Sequence, residues 1–273
     1  MTTRRALRHV TFVLGVAITA LLLGTAALSL VWTPLDPLAQ SNDSRLQGPH
    51  GGHPFGTDQY GRDILSRVMR GAVTSIAVGV IAVGIGAATG VLIGMASGYI
   101  GGWVDEGLMR MIDAVQGFPA ILSALLFTAV FTPGIGISMV AIGIAFVPSF
   151  ARLTRGSFLE LRAREFVVGA RALGAGDLRV VFRHILPNTL PPLIIQGTTS
   201  FPVAILAEAG LAYLGLGTQP PHPSWGLMLK EAQNFLGASP SFAVFPGGAI
   251  AVTVLGLNLF GDGLRDLLDP KTA

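Results

Sequence analysis

The stretch that decides the fold is Ala72–Tyr99, which reads AVTSIAVGVIAVGIGAATGVLIGMASGY and carries no charge. A helix needs about 20 mainly apolar residues to cross the roughly 30 Å hydrocarbon core of a bilayer, and this stretch is longer. In its second half, glycine recurs at every fourth position, at Gly86, Gly90, Gly94 and Gly98. On a helix these residues share one face and let another backbone approach closely. We therefore predict a transmembrane helix with a glycine groove that serves for helix packing.

The composition of the whole chain agrees with a membrane location. Of its 273 residues, 51% are hydrophobic and only 12% are charged, and the mean hydropathy is +0.64. Soluble domains average about 25% charged residues, so these charges are too few to cover a water-exposed surface. The chain has no cysteine, which excludes disulfides, thiolate nucleophiles and cysteine-based metal sites.

Five further apolar runs bring the predicted number of membrane spans to six. These runs are Val10–Trp32, Leu108–Phe131, Ile135–Phe150, Leu190–Ala212 and Phe242–Phe260. The predicted fold is therefore an all-α membrane protein with six transmembrane helices. Pro191, Pro192 and Pro202 are expected to bend the fifth span.

The first run has an alternative interpretation, because Arg4, Arg5 and Arg8 precede it as they would precede a signal peptide. Its apolar part is longer than the usual hydrophobic region of a signal peptide. We therefore favour a retained first helix over residues 10–32.

The distribution of Lys and Arg predicts the orientation, although the net charge of +3 does not. With the N-terminus inside, thirteen of the 18 basic residues lie in inner segments and five in outer ones, and inner loops of membrane proteins are richer in Lys and Arg. Both termini are therefore predicted to be cytoplasmic. The predicted segments are a cytoplasmic tail 1–9, an extracytoplasmic loop 33–71 with an amphipathic part, a five-helix transmembrane domain 72–262 that includes a cytoplasmic loop 152–189, and a cytoplasmic tail 263–273.

The predicted cytoplasmic loop contains two potential short helices. Residues 161–173 favour the first helix, which a glycine turn at 174–176 would stop. Asp177 is a good N-cap for a second helix over residues 178–185, which Pro187 would end. From the residues alone, a projecting helical hairpin and an amphipathic loop lying on anionic lipid are equally acceptable.

This loop resembles the EAA loop of ABC importer permeases, whose pattern is Glu-Ala-Ala, three residues, Gly, nine residues and Ile-x-Leu-Pro. The matching positions are Ala170, Gly174, Leu186 and Pro187. The departures are Val168, Gly169 and His184, which stand where Glu, Ala and Ile are expected. The runs ARALGA (170–175) and RHILPN (183–188) resemble the peptide-importer branch in particular.

Four other runs resemble C-type permease subunits of dipeptide and oligopeptide importers. They are HPFGTDQYGRDILS (53–66), LAYLGLG (211–217), PPHPSWG (220–226) and NLFGDGLRDLLDP (258–270). The joint match reaches from residue 53 to residue 270, which is most of the chain. The first apolar run matches only in position and apolarity.

The resemblance implies the type I ABC importer permease fold and a role as half of a peptide translocation pathway in the inner membrane of a bacterium. The implied partners are a homologous B-type permease, two cytoplasmic ABC ATPases, an extracytoplasmic solute-binding protein and the lipid bilayer, but no nucleic acid. ATP and Mg²⁺ would bind to the ATPases, and this chain would bind no cofactor. The implied residues for coupling to the ATPase are Glu165, Ala170, Arg171, Ala172, Gly174, Arg183, Leu186 and Pro187.

The residues themselves exclude an ATPase site in this chain. A phosphate-binding Walker loop ends in Gly-Lys-Ser/Thr, and neither Lys230 nor Lys271 follows a glycine. We therefore expect a subunit without catalytic activity. The alternatives left open are an ion-driven secondary transporter, a membrane scaffold, and an ABC importer of nickel complexes or haem.

Two further groups of residues are weaker candidates for sites. A metal site could be suggested by four residues, His50, His53, Asp58 and Asp63. We favour another interpretation, in which the histidines belong to a polar loop and the aspartates cap an amphipathic interfacial helix at Ile64–Arg70. No metal site is therefore predicted.

Asp113 and Glu208 are the ionisable residues nearest to membrane depth, where such groups are functional candidates. Both lie near predicted helix ends, which favours a polar contact with a partner helix over contact with solute. The solute-binding residues are otherwise not predicted.

Overall fold

The computed structural model describes residues 10–268, and the regular structure in that range is helical. The predicted tail 1–9 lies outside the described residues, as does the end of the predicted tail 263–273. The helices are α1 (Val10–Val31), α2 (Ile64–Ile100), α3 (Gly102–Gln116), α4 (Ala120–Val130), α5 (Ile135–Leu161), α6 (Glu165–Ala172), α7 (Asp177–Tyr213), α8 (Trp225–Ala232) and α9 (Ser241–Leu268).

Five helices within residues 10–268 are long and apolar enough to cross a membrane, namely α1, α2, α5, α7 and α9. The all-α class is therefore confirmed, whereas the count of six long spans is not. The difference arises in the predicted third span.

The prediction of one continuous span over Leu108–Phe131 is wrong. Helix α3 ends at Gln116 and α4 begins at Ala120, after a break at residues 117–119. Pro119 has no backbone N–H and its ring disfavours a helical conformation in the residue before it. With 11 residues, α4 spans only about 16 Å at 1.5 Å per residue, which is half of a membrane crossing.

Helix α2 begins earlier than the apolar pattern indicated. Residues Ile64–Arg70 are helical as predicted, but they form the first turns of α2, which has 37 residues, and not a helix of their own. Asp63 caps this helix, since its carboxylate accepts a hydrogen bond from Ser66 N at 2.7 Å. At the other end, Gly101 adopts a φ of 74° and stops the helix, a conformation that glycine takes readily.

Helix α7 also differs from its prediction. The helix predicted over residues 178–185 does not end at Pro187, because α7 runs from Asp177 to Tyr213 without interruption. Residues 180–185 form a π-helical turn, in which Leu186 N donates to Val181 O. Within α7, the α-helical part resumes at Leu186, directly after the π-helical turn, and Pro187 lies in its first turn. At that position the missing N–H of proline costs no α-helical hydrogen bond.

The four glycines of the predicted groove all face α5. A Cβ atom built at Gly90 would lie 2.6 Å from Phe150 Cβ and 2.7 Å from Val147 O. Gly86, Gly94 and Gly98 face residues of α5 at similarly short range. We call this contact the glycine seam, defined by Gly86, Gly90, Gly94 and Gly98 of α2. Because no side chain intervenes, the two backbones approach directly.

Helix α1 packs against α9 through the same kind of contact. A Cβ atom at Gly15 would collide with the backbone of Phe260, and one at Gly256 would collide with Ile18. Such close packing is typical of a permanent member of a helix bundle, which favours the retained first helix over a signal peptide.

Candidate functional site

The predicted coupling segment, residues 162–188, forms a sharp turn between α6 and α7. Gly174 stands at the turn with a φ of 84°. Ala175 N donates to Ala170 O at 3.0 Å and Gly174 N donates to Arg171 O at 2.9 Å, so the carbonyls at the end of α6 are satisfied by a Schellman-type closure. Glycine favours this conformation because it has no Cβ.

One side of the coupling segment is buried against the membrane helices. Val167, Val180 and Ile185 are fully buried, and they form a cluster with Met95 of α2 and Phe158 of α5. Since α2 and α5 are also joined by the glycine seam, the coupling segment is seated on a pair of closely packed helices.

The other side of the coupling segment exposes apolar side chains. Leu173 is 91% exposed and Leu178 is 76% exposed, and these two residues flank Gly174. Phe182, one turn further along α7, is 56% exposed. We call Leu173, Leu178 and Phe182 the apolar tip. Large exposed apolar side chains that cluster on a surface mark contacts with other proteins or with membranes.

The residues implied by the resemblance divide between these two sides. Leu186 packs at the edge of the buried cluster, and Ala170 is half-buried. The exposed residues are Glu165, Arg171, Ala172, Gly174, Arg183 and Pro187. The sequence pattern did not single out Leu173, Leu178 or Phe182, although their apolar type in an arginine-rich segment was a signal that could have found them.

Ion pairs join α3 to the end of α5. Arg155 donates to both carboxylate oxygens of Asp105 at 2.5 and 2.6 Å, and Ser97 of α2 donates to the same carboxylate. The hydrogen bonds from Arg155 lower the pKa of Asp105 to about 2. Asp113, a candidate for solute contact, instead pairs with Arg152 at 2.5 Å on the exposed surface.

Glu208, the second candidate for solute contact, lies in α7 and is fully buried. Its Oε1 accepts a hydrogen bond from Thr218 at 3.2 Å, in the connection that leads to α8. In this structure its carboxylate therefore contacts the polypeptide, and its role in solute contact stays a prediction.

A buried ion cluster holds the loop before α2 against α8. Its members are Asp58, Arg62, Arg67 and Glu231. Arg62 pairs with Asp58 at 2.5 Å, and both arginines pair with Glu231 at 3.1 Å. Asp58 does not cap α2, because Asp63 is the N-cap of that helix. The Oδ1 of Asp58 accepts hydrogen bonds from Tyr60 N and Arg62 N inside the loop, and its Oδ2 pairs with Arg62. The cluster is not apparent from the sequence, because Glu231 is remote from the other three residues along the chain.

The two histidines of this loop have partners of their own. His53 Nδ1 lies 3.0 Å from Asp63 Oδ1, and His50 Nδ1 lies 3.0 Å from Gly48 O. In the part of the chain that the structure describes, no three His, Asp or Glu residues gather as metal ligands would.

Residues 90–273 match the family described as the binding-protein-dependent transport system inner membrane component. The chain belongs to this family. It is 44% identical over 234 residues to the dipeptide transport system permease protein DppC of Alkalihalophilus pseudofirmus, covering 85% of this chain and 77% of that protein. It is 40% identical over 270 residues to the glutathione transport system permease protein GsiD of Pectobacterium atrosepticum, covering 98% of this chain and 89% of that protein.

A solved structure shows the same fold. A chain of the MetNI methionine ABC transporter in an inward-facing conformation superposes with a TM-score of 0.62 at 17% identity, over 74% of this chain and 96% of that chain. The predicted type I ABC importer permease fold and the predicted family are thus confirmed. The chain is a multi-pass inner membrane component of a transport system of this class, which works with ATPase and binding-protein partners.

Proposed function

We propose that this chain forms half of the translocation pathway of an ATP-driven peptide importer, and that its coupling segment transmits the movement of an ATPase subunit. The observation that carries the proposal is the apolar tip: Leu173 is 91% exposed on a turn whose opposite side is packed into the helix bundle. A rigid projection with an apolar end fits a groove on another protein. The relatives named for dipeptide and glutathione transport support a peptide as the solute.

The structure supports a mechanical role for the coupling segment. A push on the turn at Gly174 would pass through Val167 and Ile185 to Phe158 of α5 and Met95 of α2. Well-packed interiors have low compressibility and transmit displacement. The two helices would therefore tilt together, and alternation of the bundle between inward-open and outward-open states would move the solute.

The proposed complex contains a homologous B-type permease, two ATPases and an extracytoplasmic solute-binding protein. ATP and Mg²⁺ bind to the ATPases in this proposal, and this chain is a subunit without catalytic activity that binds no cofactor. The lipid bilayer surrounds the exposed apolar faces of the spanning helices, such as Leu21, Val80 and Leu255. Nucleic acid has no part in the proposal.

The test of coupling uses Leu173→Glu and Gly174→Leu in the chain expressed with its partner subunits. Leu173→Glu places a charge on the apolar tip, and Gly174→Leu strains the positive φ. The matched controls are Leu236→Glu, since Leu236 is 51% exposed elsewhere, and Gly102→Leu, since Gly102 has a φ of 57° and open space around it.

We expect both test variants to be present in the membrane while the ATPases fail to co-purify or hydrolyse ATP without uptake of a labelled dipeptide. The two controls should bind the ATPases and support uptake. Normal ATPase binding together with normal uptake in Leu173→Glu and Gly174→Leu would contradict the coupling role. Dipeptide uptake that an ionophore abolishes while ATP is present would instead favour a secondary transporter, and uptake of a nickel complex or haem but no peptide would change the solute class.

We also propose that both termini face the cytoplasm. The natural chain has no cysteine, so single cysteines report cleanly on their position. Ser157→Cys, near the end of α5, should resist an impermeant thiol reagent added to intact cells, and Gly51→Cys in the exposed loop before α2 should react. The reverse pattern of labelling would show that the orientation is inverted.

A further inference from the structure

Tyr99, in the last turn of α2, makes two directional contacts with the coupling segment. Its hydroxyl donates a hydrogen bond to Asp177 Oδ1 at 2.6 Å. The guanidinium carbon of Arg171 lies 5.3 Å from the centroid of its ring, within the range of a cation–π contact. One side chain of a membrane-spanning helix therefore contacts two charged residues of the coupling segment.

These two charged residues stand on opposite arms of the turn. Arg171 lies in the last turn of α6 and Asp177 is the first residue of α7, with Gly174 between them. A contact with one arm alone would leave the other arm held only by its apolar packing on the buried cluster. Contact with both arms fixes the angle between them relative to α2.

Beyond its own backbone hydrogen bonds and the buried cluster beneath it, the turn has open space around it. A Cβ atom at Gly174 or at Gly176 would meet nothing within 4 Å, so the tip of the segment is surrounded by open space. The buried valines and isoleucine beneath it pack by apolar contacts, which are non-directional. Hydrogen bonds to a charged group are directional, and Tyr99 provides one to the turn.

The entry to the coupling segment joins the same turn of α2. Arg162 Nη1 donates to Gly98 O at 3.2 Å and to Tyr99 O at 3.4 Å. Gly98 belongs to the glycine seam, and a Cβ atom there would lie 2.7 Å from Phe158 Cβ of α5. A displacement delivered to Tyr99 therefore reaches α2 and α5 together.

We infer that Tyr99 is the positioning residue that orients the coupling turn on α2, so that movement of an ATPase subunit tilts the helix bundle and is not lost as rotation of the turn. This inference rests on the proposed function. In the proposed mechanism Tyr99 contacts neither solute nor nucleotide, and it acts only through Arg171 and Asp177. No motif of the sequence pointed to Tyr99, because its partners lie more than 70 residues away along the chain.

The experiment compares Tyr99→Phe, Asp177→Ala and the double variant in the complete complex reconstituted in vesicles. Tyr99→Phe keeps the ring and its contact with Arg171 but removes the hydroxyl. The matched control is Tyr213→Phe, because the hydroxyl of Tyr213 also makes one hydrogen bond to a side chain, that of Gln233 at 3.1 Å. The readouts are co-purification of the ATPases, ATP hydrolysis, and the amount of dipeptide imported for each ATP hydrolysed.

We expect Tyr99→Phe and Asp177→Ala to retain the ATPases and their hydrolysis while the dipeptide imported per ATP falls about fivefold, the scale of one lost hydrogen bond. The double variant should match either single variant, because both remove the same contact. Tyr213→Phe should be unchanged.

Three results would overturn the inference: an unchanged transport ratio in Tyr99→Phe and Asp177→Ala, independent losses that add in the double variant, or loss of the ATPases in proportion to the loss of uptake. The last result would indicate a merely structural role. Failure of the proposed function can be distinguished from failure of this inference. If the proposed function were wrong, the natural complex would import no dipeptide on ATP hydrolysis, and Leu173→Glu would not affect ATPase binding.

Discussion

The glycine seam predicts that a single methyl group at Gly90 destabilises the protein. A Cβ atom there would lie 2.6 Å from Phe150 Cβ, 2.7 Å from Val147 O and 3.0 Å from Ala151 N. Two of these three atoms belong to the backbone of α5, so no rotation of a side chain can relieve the collision. The helices must separate until the shortest distance reaches the 3.4 Å of an ordinary contact, a shift of about 0.8 Å in a tightly packed interior.

The expected cost follows from two opposing effects. Overpacking of a filled interior costs about 1–3 kcal/mol, and the backbone origin of the contact favours the upper part of that range. Replacing glycine by alanine within a helix returns about 0.5–1 kcal/mol. Gly90→Ala should therefore be destabilised by about 1–2 kcal/mol, which lowers the melting temperature by about 4 °C for a chain of this size.

The measurements are thermal unfolding of the detergent-purified protein and uptake in vesicles. The control is a substitution at another glycine of the same helix. A Cβ atom at Gly84 would meet nothing within 4 Å, so Gly84→Ala should be neutral or slightly stabilising. Gly90→Leu should lower both assembly and uptake further than Gly90→Ala. If Gly90→Ala melts at the same temperature as Gly84→Ala and transports normally, the seam is not a tight packing surface.

Three further predictions concern other contacts. Asp105→Asn should destabilise the protein at neutral pH, because it weakens the hydrogen bonds with Arg155. The pKa of Asp105 is lowered in the folded state from 3.8 to about 2, so the stabilisation that its carboxylate provides is complete above pH 4 and disappears as the pH falls towards 2. A difference in melting temperature between the two proteins that is the same at all pH values would contradict this. Glu231→Gln should cost about 3 kcal/mol, since it leaves two buried arginines with one carboxylate, and an unchanged unfolding transition would disprove this. Gly15→Val should loosen α1 from α9 while Gly24→Val, with open space around it, should not, and cross-linking between the two helices would detect the difference.

The sequence predicted most of the helices because long apolar runs leave few alternatives in a bilayer. The predictions were wrong at two places where backbone hydrogen bonding, and not hydropathy, determines whether the helix continues. The Gly117–Pro119 break divides a run that is mainly apolar, and hydropathy alone does not report a missing N–H. The continuous passage of α7 through Pro187 was missed for the opposite reason, because the π-helical turn before it accommodates a proline that ordinarily ends a helix.

The candidate site was only partly accessible from the sequence. The spacing of Ala170, Gly174 and Pro187 located the coupling segment and its turn through a family resemblance. Neither the exposure of Leu173 nor the contact between Tyr99 and Asp177 follows from spacing, because both depend on how the segment sits on α2. The same limit applies to Asp113 and Glu208, whose partners became visible only when α3, α5 and the connection to α8 were placed.

The buried ion cluster has a consequence for the order in which the protein is made. Arg67 and Arg62 leave the ribosome early, together with Asp58, whereas Glu231 emerges more than 160 residues later. Until then the two arginines share a single carboxylate, and an unpaired charge is costly to bury. The start of α2 must therefore remain hydrated during most of synthesis, and the loop before it can close only when α8 arrives. We therefore expect assembly of this face to be a late event in the biogenesis of the chain, and a ribosome-bound intermediate that ends before residue 231 should expose this loop to protease.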